Sequence, residues 1–428
     1  MAIAALLFVF ALLLAGRVPI AFALGLSSLS YMLLFLPRVS LTSIPQQMFA
    51  GADTFALTAI PFFVLVGELM NAGGISARLV GFTRKLVGHF TGGMGIVSLI
   101  SSMIFASFSG SAIANAAGTG AVTIPAMVRS GYARGLAAAV ESASSSLGAI
   151  IPPSIPMIVY GSIAGVSIGG LFIAGYVPGL LLAVSLAVVL RVSARRRGVP
   201  LDARASWREV ARSGWSALPA LLTPVLIMGG ILGGVMTPTE AGAVGAVYAF
   251  IVATVIYREL GVRDLPRVLA NTAVTTGMVM LVMTAAASFS WILAFERIPA
   301  QLAANLVATV HEPWVLMVAL VALMLLLGTF IDTISALIIL TPVVVPVAVH
   351  MGIDSMFLGV IMTLALTFGV LTPPVGTVLF VTAGIAGTSI EKVSQAIIPF
   401  LLVLFPVTFL LALLPDVVLW APRMLGFR

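Results

Sequence analysis

The sequence contains no cysteine and very little charge. The absence of cysteine excludes a disulfide framework and thiol chemistry. Asp, Glu, Lys and Arg together make up 8% of the 428 residues, whereas a soluble domain carries roughly 25%. Hydrophobic residues make up 61% of the chain. These proportions predict a protein that lies in a membrane.

Long polar stretches are also missing. The longest runs only from Arg191 to Arg212, so no soluble domain fits between the apolar segments. Apolar segments of about 20 residues, the length that crosses a bilayer, recur along the whole chain. The first, residues 2–15, follows no basic residue and precedes no clear small-residue cleavage site, so we expect it to remain as a helix. The HExxH and phosphate-loop motifs are absent from the sequence, and an enzyme is not predicted.

The net charge of +7 arises from 21 Lys and Arg residues, most of which lie in short connections between apolar segments. Basic residues in such connections orient membrane segments and favour the cytoplasmic side. We therefore expect a multi-pass protein that is embedded in the lipid bilayer, and the positive charge does not indicate nucleic acid as a partner. Two basic segments, residues 201–213 and 259–270, are predicted to be amphipathic helices on the cytoplasmic interface.

Two segments that are 221 positions apart share one pattern of glycine and proline. One reads GAIIPPSIPMIVYG from Gly148 and the other reads GVLTPPVGTVLFVT from Gly369. Their proline doublets keep the same register, because 373 − 152 = 221. Proline removes a helical N–H and glycine permits unusual dihedral angles, so we predict helices that break at residues 148–154 and 369–376. A break at the same place in both halves of a membrane protein indicates a transport site.

Residues 92–128 precede the first broken helix and predict a hairpin. This apolar stretch has basic residues at both flanks, is too long for one span and is marginal for two. Its middle, ASFSGSAIANAAGTG, is rich in Ser, Gly and Asn. We interpret it as a re-entrant hairpin that enters from the cytoplasm and turns at residues 109–115. Such a turn must be buried in protein or line a cavity, because its backbone groups need partners.

Residues 313–349 form a second apolar stretch of this kind, broken at LLGTFIDTISA. The two stretches are separated by five predicted crossings, at residues 135–165, 171–190, 216–236, 239–257 and 272–295. An odd number places the second hairpin on the periplasmic side, and both termini are predicted to be periplasmic. The predicted fold is therefore an all-α polytopic membrane protein, with an inverted repeat of two re-entrant helical hairpins and two broken transmembrane helices.

This layout predicts four parts of the chain. They are N-terminal scaffold helices (1–90), transport elements of the first repeat (91–190), interfacial and scaffold helices (191–312), and transport elements of the second repeat (313–428).

Several long motifs, in order along the chain, resemble one family. They include AIPFFVLVGELMNAGGI at 59–75, FSGSAIANAAGTGAVTIPAM at 108–127, TPTEAGAVGAVYA at 237–249 and TFIDTISALIILTPVVVPV at 329–347. Over essentially its whole length, the chain resembles the large membrane subunit of tripartite ATP-independent periplasmic (TRAP) transporters. The resemblance implies a sodium-coupled, elevator-type importer of small organic acid anions. It also implies a location in the bacterial inner membrane and two partners, a periplasmic substrate-binding protein and a separate small four-helix membrane subunit.

The resemblance further implies two sodium sites and no other cofactor. Both are carried over by motif, and many of their contacts are expected to be main-chain carbonyl groups. The first site would involve Ser107, Ser109, Gly148, Ile151 and Pro153. The second would involve Gly328, Gly369, Thr372 and Val375.

Four further residues are candidates for contact with the substrate. Ser111 and Asn115 lie at the first hairpin turn, where they either line the site or cap short helices. Asp332 is the equivalent of Ser111 in the second repeat, and an ionisable residue inside a membrane segment predicts a function. It would bind sodium, contact the substrate or cap a helix. Arg297 offers an organic anion a positive partner, with an interfacial anchor as the alternative.

Three alternatives stay open at the level of the sequence. Glu141, in the first broken helix, belongs either to the site or to a hydrogen bond between helices. The whole chain is either a tripartite subunit or a stand-alone carrier of the same superfamily, coupled to sodium or protons. An ion channel would conduct without coupling, and the inverted repeat with closed hairpins favours a carrier over it.

Overall fold

The computed structural model describes residues 2–197, 202–301, 304 and 312–427, and every regular element in that part of the chain is a helix. Seven of the described helical segments are long and apolar enough to cross a membrane. The predicted all-α, polytopic architecture is thereby confirmed.

The helices before residue 90 pack against later spans rather than forming a unit of their own. The first five helices are Ala2–Ala15, Ile20–Phe35, Ser43–Ala52, Ala59–Ala72 and Ile75–Val87. The later spans of this bundle are Trp207–Leu232, Pro238–Ile251 (continued by a π-helical turn over Val252–Ile256) and Leu265–Phe295. Leu265–Phe295 contacts three of the early helices, and Pro238–Ile251 packs along Ala59–Ala72. We call this bundle the scaffold.

Hairpin 1 consists of two helices, Gly93–Ser109 and Ala112–Arg129. Gly110 ends the first arm with a left-handed backbone (φ +59°), and Ser111 caps the second arm by accepting a hydrogen bond from the N–H of Ala114. At the open end, the hydroxyl of Tyr132 donates to the carbonyl of Gly92 at 2.6 Å. The turn lies within the predicted interval, although Asn115 already belongs to the second arm.

Broken helix 1 follows hairpin 1 and is interrupted where the sequence predicts. Its first half is Arg134–Ser145, and a 3-10 turn over Ser146–Ala149 leads into an irregular segment. Its second half is Ile155–Ala164, which begins at the N-cap Ser154.

The second repeat has the same elements. Hairpin 2 consists of Pro313–Gly328 and Thr333–His350, and broken helix 2 consists of Ser355–Gly369 and Thr377–Ala386. The second arms of the two hairpins begin and end 221 positions apart, which confirms the duplication. Long helices follow each broken helix, over Ile168–Arg197 and Ile390–Ala412, and Pro415–Met424 is the last described helix.

The two repeats also pack against each other. The second arm of hairpin 1 packs against the second half of broken helix 2, and the second arm of hairpin 2 packs against the second half of broken helix 1. We call the two hairpins and the two broken helices together the hairpin unit. Entry of the two hairpins from opposite faces of the membrane stays a prediction.

The prediction of separate interfacial helices is wrong. Residue 201 lies outside the described residues, and residues 202–206 form no helix. A capping box of Ser206 and Glu209 then starts one continuous helix, Trp207–Leu232. Likewise, residues 259–264 form no helix, and Leu265–Phe295 runs without interruption from the last part of the second predicted segment into an apolar span. Trp207–Leu232 continues through Gly214 and Pro219, which do not end it, so one helix forms where two were expected.

Candidate functional site

The tip of hairpin 1 is seated on the break of broken helix 1. The N–H of Ile155 donates to the carbonyl of Gly110 at 3.1 Å. A Cβ atom at Gly110 would lie 2.9 Å from the carbonyl oxygen of Pro153. This contact brings together the two elements to which the first sodium site was assigned.

The break leaves backbone carbonyl groups without donors. Among the described residues, no N–H or hydroxyl group donates to the carbonyl oxygens of Gly148, Ile151 or Pro153. The neighbouring carbonyl of Ala149 differs, since it accepts from the hydroxyl of Ser154 at 2.6 Å. Polar backbone groups at membrane depth need a partner. The three predicted residues of the break therefore have carbonyl groups that remain available to a ligand, as do their neighbours Ile150 and Pro152.

Gly148 also packs against the second arm of hairpin 1. A Cβ atom there would lie 2.9 Å from both the amide nitrogen of Asn115 and the carbonyl oxygen of Ser111. Asn115 is fully buried, and its amide donates to the carbonyls of Ser102 at 3.0 Å and Ser145 at 3.3 Å. Its amide nitrogen thus joins the hairpin to the broken helix in this conformation, and the expected substrate contact of Asn115 stays a prediction.

The two predicted serines differ in their surroundings. Ser107 and Ile151 line one cavity of about 640 Å³ whose other walls are mainly apolar. Ser109 is 2% exposed. A Cβ atom at Gly67, in the scaffold, would lie 3.4 Å from the Cα atom of Ser109. The hairpin tip is thus in direct contact with the scaffold.

The second predicted site is built around two glycines in contact. A Cβ atom at Gly369 would lie 2.5 Å from the Cα atom of Gly328, so the first arm of hairpin 2 meets broken helix 2 backbone to backbone. Within the described chain, the carbonyl oxygens of Gly328, Thr372 and Val375 accept no hydrogen bond. The carbonyl of Gly369 accepts from the N–H of Thr372 at 2.8 Å. Three of the four predicted residues therefore keep a free carbonyl, and Gly369 provides the close approach.

Asp332 and Ser111 occupy equivalent positions in the two repeats. Asp332 caps the second arm of hairpin 2, and its Oδ2 accepts from the N–H of Ser335 at 3.0 Å. Ser111 caps the second arm of hairpin 1, and its hydroxyl oxygen accepts from the N–H of Ala114 at 3.4 Å. Both side chains are half-buried. Capping, one of the roles predicted for each, is thereby confirmed, and contact with a ligand stays a prediction.

Arg297 lies far from Asp332. It lines a cavity of about 490 Å³ together with Pro346 and His350, at the carboxyl end of the second arm of hairpin 2. Asp332 is at the opposite end of that arm, 14 residues before Pro346, or about 21 Å along the helix axis. The structure does not bring these two candidates together in this conformation.

One polar cluster was not assigned from the sequence. Glu141 is fully buried, and its carboxylate accepts hydrogen bonds from four hydroxyl groups of hairpin 1. The donors are Ser98, Ser102, Thr119 and Thr123. Of the two roles left open for Glu141, a hydrogen bond between helices is confirmed. The signal in the sequence was the spacing of four residues within each donor pair, which places each pair on one helix face.

Comparison with known proteins gives one consistent family. Residues 7–417 match the family model described as "Tripartite ATP-independent periplasmic transporter, DctM component". The sialic acid TRAP transporter large permease protein SiaM of Vibrio cholerae is 39% identical over 417 residues, which cover 97% of both chains. The C4-dicarboxylate TRAP transporter large permease protein DctM of Pseudomonas aeruginosa is 39% identical over 404 residues, 94% of both chains.

Among solved structures, the YdaH transporter of Alcanivorax borkumensis superposes with a TM-score of 0.61. The alignment covers 87% of each chain at 15% sequence identity. At that identity the match supports a shared fold and nothing finer.

Proposed function

Because the chain belongs to the DctM family of tripartite ATP-independent periplasmic transporters, we propose that it is the large membrane subunit of a sodium-coupled importer of small organic acid anions. Family membership and the seven apolar spans make it a multi-pass protein of the bacterial inner membrane. It is a transporter component and not an enzyme.

The observation that carries the sodium proposal is the seat of the hairpin 1 tip on the break of broken helix 1. Discontinuous membrane helices coordinate coupling ions through unwound backbone carbonyls. The carbonyls of Gly148, Ile151 and Pro153 have no donor in the described chain, as a cation site requires. Ser107 and Ser109 complete the proposed first site. Gly328, Thr372 and Val375 form the proposed second site, at which Gly369 allows hairpin 2 to approach.

The proposed substrate is a carboxylate. Relatives are named for sialic acid and for C4-dicarboxylates, and both ligands carry that group. Ser111 and Asp332 stand at helix N-termini, where the backbone dipole favours an anion. The Asp332 carboxylate itself would repel one, so we propose that it contacts a hydroxyl group of the substrate or a bound sodium ion. Arg297 would reach the anion only after the hairpin unit has moved.

An elevator motion fits this arrangement. The hairpin unit would move as one body against the scaffold, because its four elements pack on one another across the repeats. Gly67 and Ser109 mark one contact at which the two bodies would slide. The names of the family and of its relatives, "tripartite" and "large permease protein", support two partners. These would be a small membrane subunit and a periplasmic binding protein that delivers the substrate.

The test is uptake by proteoliposomes that contain this chain and its small membrane subunit. Labelled organic acids are supplied with or without the cognate binding protein, under an imposed sodium gradient or an imposed proton gradient. We expect uptake only when sodium and the binding protein are both present.

Two results would change the assignment. Uptake without a binding protein would identify a stand-alone carrier, and uptake under a proton gradient alone would remove sodium as the coupling ion. Conductance without stoichiometric coupling would identify a channel.

A further inference from the structure

Glu141 lies in the hairpin unit without any basic partner. Its side chain is fully buried, and none of the ion pairs formed by the described residues involves it. Burial of a carboxylate is costly unless hydrogen bonds replace its water. Here Ser98 donates at 2.6 Å, Thr123 at 2.5 Å and Ser102 at 3.2 Å, and Thr119 also donates. Both arms of hairpin 1 are thereby fixed to broken helix 1.

The fold itself does not need this carboxylate. The equivalents of Thr119, Thr123 and Glu141 in the second repeat, 221 positions later, are apolar, namely Leu340, Val344 and Met362. Met362 is fully buried, and Leu340 and Val344 are also largely inside the protein. Since an apolar set packs in the same place of the related hairpin, the polar set in the first repeat calls for another explanation.

A chain of contacts leads from Glu141 to the break. The hydroxyl of Thr119, which touches Glu141, also lies 2.8 Å from the carbonyl oxygen and 3.2 Å from the side-chain oxygen of Asn115. Asn115 in turn packs against Gly148 and donates to the carbonyl of Ser145, just before the 3-10 turn. Thr123 touches Glu141 but has no hydrogen bond to Asn115 among the described contacts.

We propose that Glu141 is a positioning residue for the first sodium site. Acting through Thr119 and Asn115, it holds the carbonyl of Gly148 in the geometry that a sodium ion requires. The proposal rests on the sodium coupling proposed above. Glu141 does not contact the ion, and the second site, built from the repeat with apolar residues at these positions, has no such support.

The test compares Thr119→Val with Thr123→Val. Both substitutions exchange a hydroxyl for a methyl group in the same helix, one turn apart, and both remove one donor to Glu141. The first also cuts the connection to Asn115. The half-saturating sodium concentration is measured in two ways at constant ionic strength, from the rise in melting temperature of the purified chain and from uptake in the reconstituted complex.

We expect Thr119→Val to raise the half-saturating sodium concentration about tenfold with a largely unchanged maximal rate. Thr123→Val should stay within about twofold of the wild type, with a similar melting temperature in the absence of sodium. Equal effects of the two variants on sodium affinity would overturn the proposal and leave Glu141 with a packing role. A wild-type chain that responds to sodium in neither assay would refute sodium coupling itself, and the positioning role with it.

Two variants of Glu141 complete the test. Glu141→Met installs the residue found at the equivalent position of the second repeat, and should raise the half-saturating concentration at least as much as Thr119→Val. Glu141→Gln keeps the shape and an oxygen that accepts from Thr119, and should restore affinity to within about threefold of the wild type. Normal sodium affinity in a folded Glu141→Met protein would also overturn the proposal.

Discussion

Gly110 combines a backbone conformation and a steric contact that together exclude other residues. Its φ of +59° lies in the left-handed region, which costs a residue with a side chain about 1–2 kcal/mol. A Cβ atom would also meet the carbonyl oxygen of Pro153 at 2.9 Å, and backbone atoms cannot move aside cheaply. The tip of hairpin 1 can therefore rest on the break only with glycine at this position.

Gly110→Ala should lift the tip from the break. We expect a loss of stability of about 2–4 kcal/mol from strain and overpacking, and loss of sodium-dependent stabilisation. Thermal unfolding with and without sodium measures both effects. Gly277→Ala is the matched control, because a Cβ atom there meets nothing within 4 Å. An unchanged response to sodium in Gly110→Ala would mean that the seat of the tip is not part of the site.

Asp332 caps the second arm of hairpin 2, and we propose that it also contacts a ligand. Two substitutions can distinguish these two roles. Asn is as good an N-cap as Asp, whereas Ala costs about 1 kcal/mol. If Asp332 contacts sodium or substrate, Asp332→Asn should keep the wild-type melting temperature and abolish sodium-dependent uptake. Asp332→Ala should lose both stability and uptake. Normal uptake by Asp332→Asn would leave Asp332 with the cap alone.

At the scale of single residues, the sequence predicted which residues break the helices better than it predicted which side chains contact each other. The glycines and prolines of both breaks were identified, because their backbone effects are local. The role of Asn115 was not, because its burial depends on Gly148 and Ser145, which are distant in the chain. The four donors to Glu141 come from two different arms, and only the closed hairpin brings them to one carboxylate.

At the scale of elements, hairpin 2 and broken helix 2 meet backbone to backbone. Gly328 and Gly369 meet with no room for a side chain on either. Neither glycine has a positive φ, so the reason for glycine is the approach of two backbones and not the backbone conformation. Strain in this contact would therefore come from packing alone.

Gly369→Ala should separate the two elements. We expect it to cost about 1–3 kcal/mol through overpacking, and to weaken the second sodium site more than the first. The check is thermal unfolding over a sodium titration, with Gly384→Ala as control, since a Cβ atom at Gly384 meets nothing within 4 Å. Equal stability of the two variants would show that the elements can part without cost.

Element boundaries were largely predictable from the sequence. Both hairpin turns and both breaks lie in the predicted intervals, because Gly, Pro and capping residues mark them. The separate interfacial helices were the error. In Trp207–Leu232 a basic segment leads into an apolar one, and the helix continues through Gly214 and Pro219 although these residues resemble a boundary in the sequence.

At the scale of the whole molecule, a count of crossings predicts the inverted relation of the repeats. The same count predicts that equivalent connections lie on opposite sides of the membrane. Because the chain lacks cysteine, single cysteines can be introduced to test this without a background reaction.

Ser130→Cys and Met351→Cys mark equivalent positions after the second arms of the two hairpins. An impermeant thiol reagent added to intact cells should label Met351→Cys and leave Ser130→Cys unlabelled, because the first is predicted to be periplasmic and the second cytoplasmic. The order should reverse in inside-out vesicles. Labelling of both from the same side would show that the repeats are parallel.

The global architecture was predictable because the chain contains a duplication. The same pattern of glycine and proline occurs twice, at positions that differ by 221. The distance between Arg297 and Asp332 was not predictable. It depends on how far the hairpin unit stands from the carboxyl end of Leu265–Phe295, and that relation belongs to a conformation and not to any local pattern.

The reciprocal packing of the hairpins has a consequence for each repeat on its own. Part of the surface of each second arm is covered by a half-helix of the other repeat. A half-length chain with a single repeat would leave that part uncovered unless a second copy packed against it. In the predicted inverted arrangement, that copy would lie in the membrane in the opposite orientation. Within one chain the two copies are free to differ, as Glu141 and its equivalent Met362 do.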